Sequence, residues 1–192
     1  MDNLNDTDLK KIVDEVVSSL MREMPSSLTT PAPASDQTGN ISQASNSKTI
    51  AIGADHGGYS LKENLKTYLI QEGYQIVDCG TGNTDSVDYP DFAQAVALQV
   101  QSGEAWRGIM IDGAGIGSCM AANKVSGVRA AMCYDHATAY NSREHNDANL
   151  LTLGAGLIGV NLAKQIVKTF LDTKFGGDRH ARRVDKIMEL EK

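Results

Sequence analysis

The chain has 192 residues, 41% of them hydrophobic and 22% charged, with a net charge of −6. That is the balance of a globular chain, one ordinary domain with something left over, and it excludes wholesale disorder. No apolar run reaches the roughly 18 residues needed to cross a bilayer, and no basic-then-apolar leader opens the chain. A membrane span or secretion is therefore not expected, and the acidic balance argues against a nucleic-acid partner.

The first 24 residues carry one amphipathic pattern. Leu9, Ile12, Val13, Val16, Val17, Leu20, Met21 and Met24 recur at helical spacing, and the opposite face holds Lys10, Lys11, Asp14, Glu15, Arg22 and Glu23. Asn5, Asp6 and Thr7 offer N-caps and Pro25 is a stop signal. A lone helix of about 16 residues is marginal in water, so its apolar stripe calls for a partner. That partner is the chain's own domain, a second copy, or a groove on another protein. A membrane surface is a weaker fit, because the polar face is mixed in sign.

Residues 25–47 hold three of the four prolines, nine Ser or Thr, one acid (Asp36) and no Lys or Arg. Such a stretch buries too little apolar surface to offset its ordering entropy and reads as a flexible linker. As a loose coil it would span about 25 Å.

Residues 48–192 alternate between two periods. Buried parallel strands are expected at Thr49–Ala54, Gln75–Cys79, Gly108–Ile111, Val128–Cys133 and Leu150–Leu153. Helices are expected near Ser60–Glu72, Tyr89–Ser102, Gly117–Lys124, Ala137–His145 and Val160–Leu171, with a polar one over Arg179–Glu191. This alternation predicts a doubly wound, Rossmann-like α/β fold with a five-stranded parallel sheet and its ligand at the carboxyl strand ends. Cys79, Cys119 and Cys133 form neither a CxxC pair nor a zinc spacing. Reduced thiols, no metal and a cytoplasmic setting follow.

Chemistry-bearing residues gather at the expected element ends. Asp55 and His56 sit in a Gly-rich turn after the first strand. Asp112 precedes Gly113-Ala114-Gly115-Ile116-Gly117, whose backbone N–H groups suit an anion at a helix start, or serve only a tight turn. Such a turn also occurs in dinucleotide folds, but after the first strand rather than the third. Arg143-Glu144-His145-Asn146-Asp147 is a polar knot of capping or site groups. Arg179, Arg182 and Arg183 open the last helix, either as an anion site or as a solvated basic face.

Five segments in order carry a family resemblance: Ala51-Ile-Gly-Ala-Asp-His-Gly-Gly-Tyr59, Val87-Asp-Tyr-Pro90, Gly113-Ala-Gly-Ile-Gly117 with Ala121-Ala-Asn-Lys124, Arg143-Glu-His-Asn-Asp147, and Arg179-His-Ala-Arg-Arg-Val184. Together they resemble the ribose-5-phosphate isomerase B and galactose-6-phosphate isomerase family across residues 48–192. The resemblance implies an aldose–ketose isomerase of a sugar phosphate, an intramolecular oxidoreductase working without metal or organic cofactor. It implies ring opening by His145 and substrate contacts from Asp55 and His56. Asn146 and residues Gly113, Ala114, Gly115, Ile116 and Gly117 would hold the enediolate, and Arg179 and Arg183, with His56, the phosphate. A homodimer or tetramer with active sites at the interface is also implied.

Residues 1–24 on their linker resemble the encapsulation peptides of bacterial microcompartments. That implies docking to a shell protein through residues 9–24, and a location in the cytoplasm or a microcompartment lumen.

The chain departs from the family inside the site. Asp112 stands where many members have a cysteine base, and Ser118 where another branch has a glutamate base. Ala114 replaces a Ser or Thr, and Gly156 an arginine. Asp112 is the expected substitute base, since a carboxylate can take a proton alpha to a carbonyl. A weakened sugar-phosphate-binding protein, or an isomerase of a different sugar phosphate, are the alternatives these departures raise.

Overall fold

The computed structural model describes residues 48–191. The expected helix over 1–24 and linker over 25–47 lie outside the described residues.

Five strands and six helices alternate as read from the periodicity. They are β1 (Thr49–Ala54), α1 (Tyr59–Gln71), β2 (Gln75–Asp78), α2 (Tyr89–Gln101), β3 (Arg107–Asp112), α3 (Ile116–Ala122), β4 (Ala130–Met132), α4 (His136–Glu144), β5 (Leu150–Gly154), α5 (Val160–Asp172) and α6 (Asp178–Met188), then a short 3-10 turn. The sheet is parallel with order β2-β1-β3-β5-β4. Because β2 lies to one side of β1 and β3 to the other, the winding reverses between β1 and β3. The carboxyl ends of those two strands are the usual ligand position in such sheets.

Helices cover both faces. Leu61, Leu65 and Leu69 of α1 pack with Ala163, Ile166, Val167 and Phe170 of α5 over Ile50, Ile52, Ile109 and Ile111. Ala93, Val96 and Ala97 of α2, with Ala122 of α3, cover Ala51, Met110 and Leu150 on the other face. Each large aliphatic buried this way contributes about 1.5–3 kcal/mol of transfer free energy.

The edge strands differ from the expectation of full burial. β2 and β4 are only half covered, and β4 shrinks to three residues. Its start is taken over by side chains: the Arg129 N–H donates to Asn149 Oδ1 at 2.7 Å and the Ala130 N–H to Asn123 Oδ1 at 2.9 Å.

Lys62 is an unexpected core residue. Its side chain is buried and its Nζ donates to both Asp78 oxygens (2.9 and 2.8 Å) and to the Thr81 carbonyl (2.9 Å). It ties α1 to the end of β2 and to the loop beyond it. Losing the part-exposed Asp78 carboxylate would leave a buried ammonium short of its counter-charge, at a cost of about 1–3 kcal/mol.

Among the described residues no helix is long and apolar enough to cross a membrane.

Candidate active site

The crevice at the carboxyl strand ends is built from the β1–α1 and β3–α3 turns. They touch directly: the Asp55 N–H donates to the Ile111 carbonyl at 3.2 Å. Asp55 is buried, and its Oδ1 accepts the Gly58 N–H at 3.0 Å, capping the turn into α1. Its Oδ2 takes no protein donor among the described residues. His56 is exposed, and its Nδ1 lies 3.2 Å from the Val87 N–H. The Val87 carbonyl lies at the same 3.2 Å from Nδ1, so that nitrogen is held by the Val87 backbone in either tautomer and Nε2 is left for a ligand.

The Gly-rich turn after β3 is organised from inside. Asp112 is 4% exposed, and its carboxylate collects four donors. Oδ1 accepts from the Ala114 N–H (2.8 Å) and the Gly115 N–H; Oδ2 accepts from the Ser118 N–H (3.1 Å) and the Ser118 hydroxyl. A carboxylate has about four acceptor positions, and all are filled. The geometry therefore corrects the expectation of Asp112 as a free base, because no lone pair faces the crevice. It also corrects the assignment of the Gly115 N–H to an enediolate, since that donor serves Asp112. Ile116 and Gly117, the first residues of α3, keep N–H groups with no acceptor among the described residues.

Glycine is required at two points of this turn. Gly115 has a positive φ of 79°, the left-handed region, and its carbonyl accepts the Thr152 hydroxyl at 2.8 Å. A Cβ on Gly117 would lie 2.5 Å from Tyr89, so the hydroxyl end of the Tyr89 ring packs against the turn. Tyr134, from the segment after β4, donates its hydroxyl to the Ala114 carbonyl at 3.1 Å. Gly156 donates to the Gly113 carbonyl at 3.0 Å, and a Cβ there would come within 3.0 Å of that same oxygen.

The second group of expected residues is elsewhere. α4 runs back from the carboxyl end of β4, so His145 and Asn146 emerge at the amino end of β5. Helix α6 begins beside them, the Gly176 N–H donating to the Glu144 carbonyl at 2.8 Å. The five residues of β5 alone separate the two sheet edges by roughly 15 Å, at about 3.3 Å per residue. Within one chain, then, Asp55, His56 and Gly113–Gly117 lie together, His145, Asn146, Arg179 and Arg183 lie together, and the two groups are apart.

At the amino edge a cleft of about 330 Å³ is lined by Glu144, His145, Arg179 and His180, among others. His145 stacks on His180 with ring centroids 4.3 Å apart. Its Nδ1 meets Asn141 Nδ2 at 2.7 Å and its Nε2 meets Glu144 Oε2 at 3.0 Å. Asn146 Nδ2 donates to the Asn141 Oδ1 at 3.2 Å. Asn141 is a neighbour of His145 that the sequence reading passed over, although it stands one helical turn before it, whereas Glu144 was read only as part of the polar knot. Arg143 and Asp147 turn out to be scaffold. Arg143 Nη1 donates to Asp147 Oδ1 at 2.7 Å, and Asp147 also pairs with Arg129 at 3.1 Å while holding a positive φ of 45°. Arg179 and Arg183 are exposed, one turn apart on α6.

Among the described residues no group of three or more His, Cys, Asp or Glu gathers as a metal site. Cys119 points its thiol at the Ala130 carbonyl (3.4 Å), away from the crevice. Cys133 is buried, and desolvation pushes its thiol up to about 11.

Lost solvation, reinforced by His145, Arg179 and Arg183, holds His180 below its ordinary value of 6.5. As pH falls, the unfolded chain takes up this proton first, so the contribution of neutral His180 is fully present above about pH 6.5 and fades below it. Urea unfolding of wild type and His180→Gln between pH 5.5 and 8 is expected to show the wild-type advantage largest at the alkaline end and shrinking with acidification. A pH-independent difference would contradict this.

Comparison with known proteins follows the same boundaries. A family described as Ribose/Galactose Isomerase matches residues 50–187. The Escherichia coli K12 protein named ribose-5-phosphate isomerase B is 42% identical over 144 residues, covering 75% of this chain and 97% of its own. A Pectobacterium atrosepticum protein named D-erythrulose-4-phosphate isomerase is 42% identical over 140 residues, covering 72% and 92%. Among solved structures, ribose-5-phosphate isomerase B of Clostridium thermocellum superposes with a TM-score of 0.74 at 53% identity, covering 74% of this chain and 97% of that one. Matching motifs, strand order and near-complete coverage of these relatives agree: the chain belongs to the ribose/galactose isomerase family.

Proposed function

We propose that the protein interconverts ribose 5-phosphate and ribulose 5-phosphate, at sites that two copies of the chain build together. Family membership gives the reaction class, an aldose–ketose isomerisation of a sugar phosphate. The observation that carries the rest is the placement of the two residue groups at opposite sheet edges. A single sugar phosphate reaches both groups only if the carboxyl edge of one copy faces the amino edge of another. Exposed apolar side chains flank the crevice, with Ile116 at 46%, Met120 at 66% and Leu157 at 59% exposure, and they suit a partner surface.

In such a composite site His56, Arg179 and Arg183 bind the phosphate, and the paired guanidinium groups match its oxygens. His145, oriented by Asn141 and Glu144, moves the proton needed to open the ring. Asn146 and the N–H groups of Ile116 and Gly117 stabilise the enediolate, at a helix start whose partial charge favours it. With Asp112 committed to the turn, Asp55 is the carboxylate left with a free oxygen beside that loop. It exchanges the proton between C1 and C2. Asp112, Gly113, Ala114 and Gly115 shape the turn and the floor of the site.

A four-carbon sugar phosphate is the second reading. Gly156 favours it, because it supplies no guanidinium where the family commonly has a phosphate-binding arginine, which alters how the length of the sugar is read. Assay of both sugar phosphates decides between them.

The shared site predicts complementation. Asp55→Asn and His145→Ala homo-oligomers should each be nearly inactive. Refolding them as a mixture should restore turnover, because hybrids contain one site with both halves intact. Hybrids confirmed by native mass spectrometry but lacking activity would contradict the shared site.

Residues 1–24 serve as a docking helix on the 25–47 linker, taking the isomerase from the cytoplasm into a microcompartment through a shell protein. The support is the apolar stripe and its tether, both outside the region matched by the family. Deleting residues 1–47 should abolish co-assembly with shell proteins and leave turnover unchanged. Loss of turnover, or retained co-assembly, would overturn this.

A further inference from the structure

At the amino edge of the sheet, two clefts of about 600 and 540 Å³ adjoin one another and share Lys48, Trp106 and Arg107. Neither includes His145, Arg179 or His180, which line a separate cleft. Arg129 lines the first and Arg143 the second, so three guanidinium groups converge. Five basic side chains line the pair of clefts against three acidic ones, in a chain whose net charge is −6. The acids are largely spoken for. Asp147 is shared between Arg129 and Arg143, and Asp172 pairs with Lys168 at 2.8 Å. Glu104 stands at the rim, exposed.

The arginines are under-satisfied. Arg143 is 3% exposed, yet its Nε has no hydrogen-bond partner among the described residues, and the buried Nε of Arg107 has none either. Arg107 makes one polar contact, Nη1 to the Trp106 carbonyl at 2.8 Å, and packs its guanidinium 4.5 Å from the Trp106 ring centroid. Lys48 Nζ lies 3.7 Å from the centroid of the same ring. Burial and repulsion from Arg143 and Arg129 pull Arg107 down to about 10, partly offset by Asp147. A buried donor left unmatched is destabilising, and clustered like charges add to that. An oxyanion seated against the accessible charged groups of this cluster relieves the repulsion among them.

We propose that these clefts form a second anion site, separate from the sugar-phosphate site, for a multiply charged, phosphate-bearing small molecule. The indole and the guanidinium groups define its floor, and clefts of this size take a ligand larger than a single phosphate ion.

Trp106 is the only tryptophan in the chain, so its emission reports on this site alone. The full-length protein is titrated with inorganic pyrophosphate, and sodium chloride at matched ionic strength serves as the screening control. The expected result is a saturable change in Trp106 emission that the chloride control lacks. Arg107→Gln and Lys48→Gln should each raise the half-saturation concentration, Arg107→Gln by about tenfold or more. Arg179→Ala should leave it unchanged. Isomerase turnover in Arg107→Gln shows that the variant is folded. A linear response, an equal response to chloride, or unaltered saturation in a folded Arg107→Gln would overturn the proposal.

Discussion

The four donors that converge on Asp112 decide how the carboxyl edge of the sheet is built. A turn of alternating glycines has little conformational preference of its own, and its N–H groups need an acceptor once β3, β5 and α3 close around it. The Asp112 carboxylate supplies that acceptor from within the chain. It fixes Ala114, Gly115 and Ser118, and so sets the direction of α3. The unspent N–H groups of Ile116 and Gly117 are then held toward the crevice that Asp55 and His56 share. A thiolate at the same position would leave those donors unclaimed, so the change of side chain alters the role of the position as well as its basicity.

The opposite edge rests on a second carboxylate. Asp147, in a left-handed conformation and held by Arg129 and Arg143, ends α4 so that His145 and Asn146 project beside α6. The two halves of the site are each rigidly placed, but by elements that run in opposite directions across one sheet. Parallel strands joined by crossover helices make this unavoidable: each strand ends where the next helix begins, and each helix ends at the far edge. In the proposed composite site, activity would depend on association of two copies.

Much of this was legible in the sequence. Apolar runs with β-branched residues placed all five strands, and helical spacing placed all six helices within a few residues, because both periods were clean. The edge strands were over-read: in Val128–Cys133 the side chains of Asn123 and Asn149 displaced the ladder, which hydropathy cannot show. Lys62 was invisible because its partners, Asp78 and Thr81, arrive from another element. The five motifs carry both groups of candidate site residues, yet not their separation, which follows from strand order rather than spacing. Asp112 was misread for a related reason. A carboxylate beside glycines reads as a reactive group until its donors are counted, and three of the four donors are backbone N–H groups that any residue would supply.

The most direct test compares Asp112→Asn with Asp55→Asn for both urea unfolding and isomerase turnover. The Asp112 amide would set an NH₂ against backbone donors, so it should destabilise the fold by about 1–3 kcal/mol or more. Asp55→Asn keeps an oxygen for the Gly58 N–H and should unfold like wild type, while kcat falls by about 10²–10⁴. The opposite pattern, a fully stable Asp112→Asn with kcat lost and an active Asp55→Asn, would return the base to Asp112 and contradict the account.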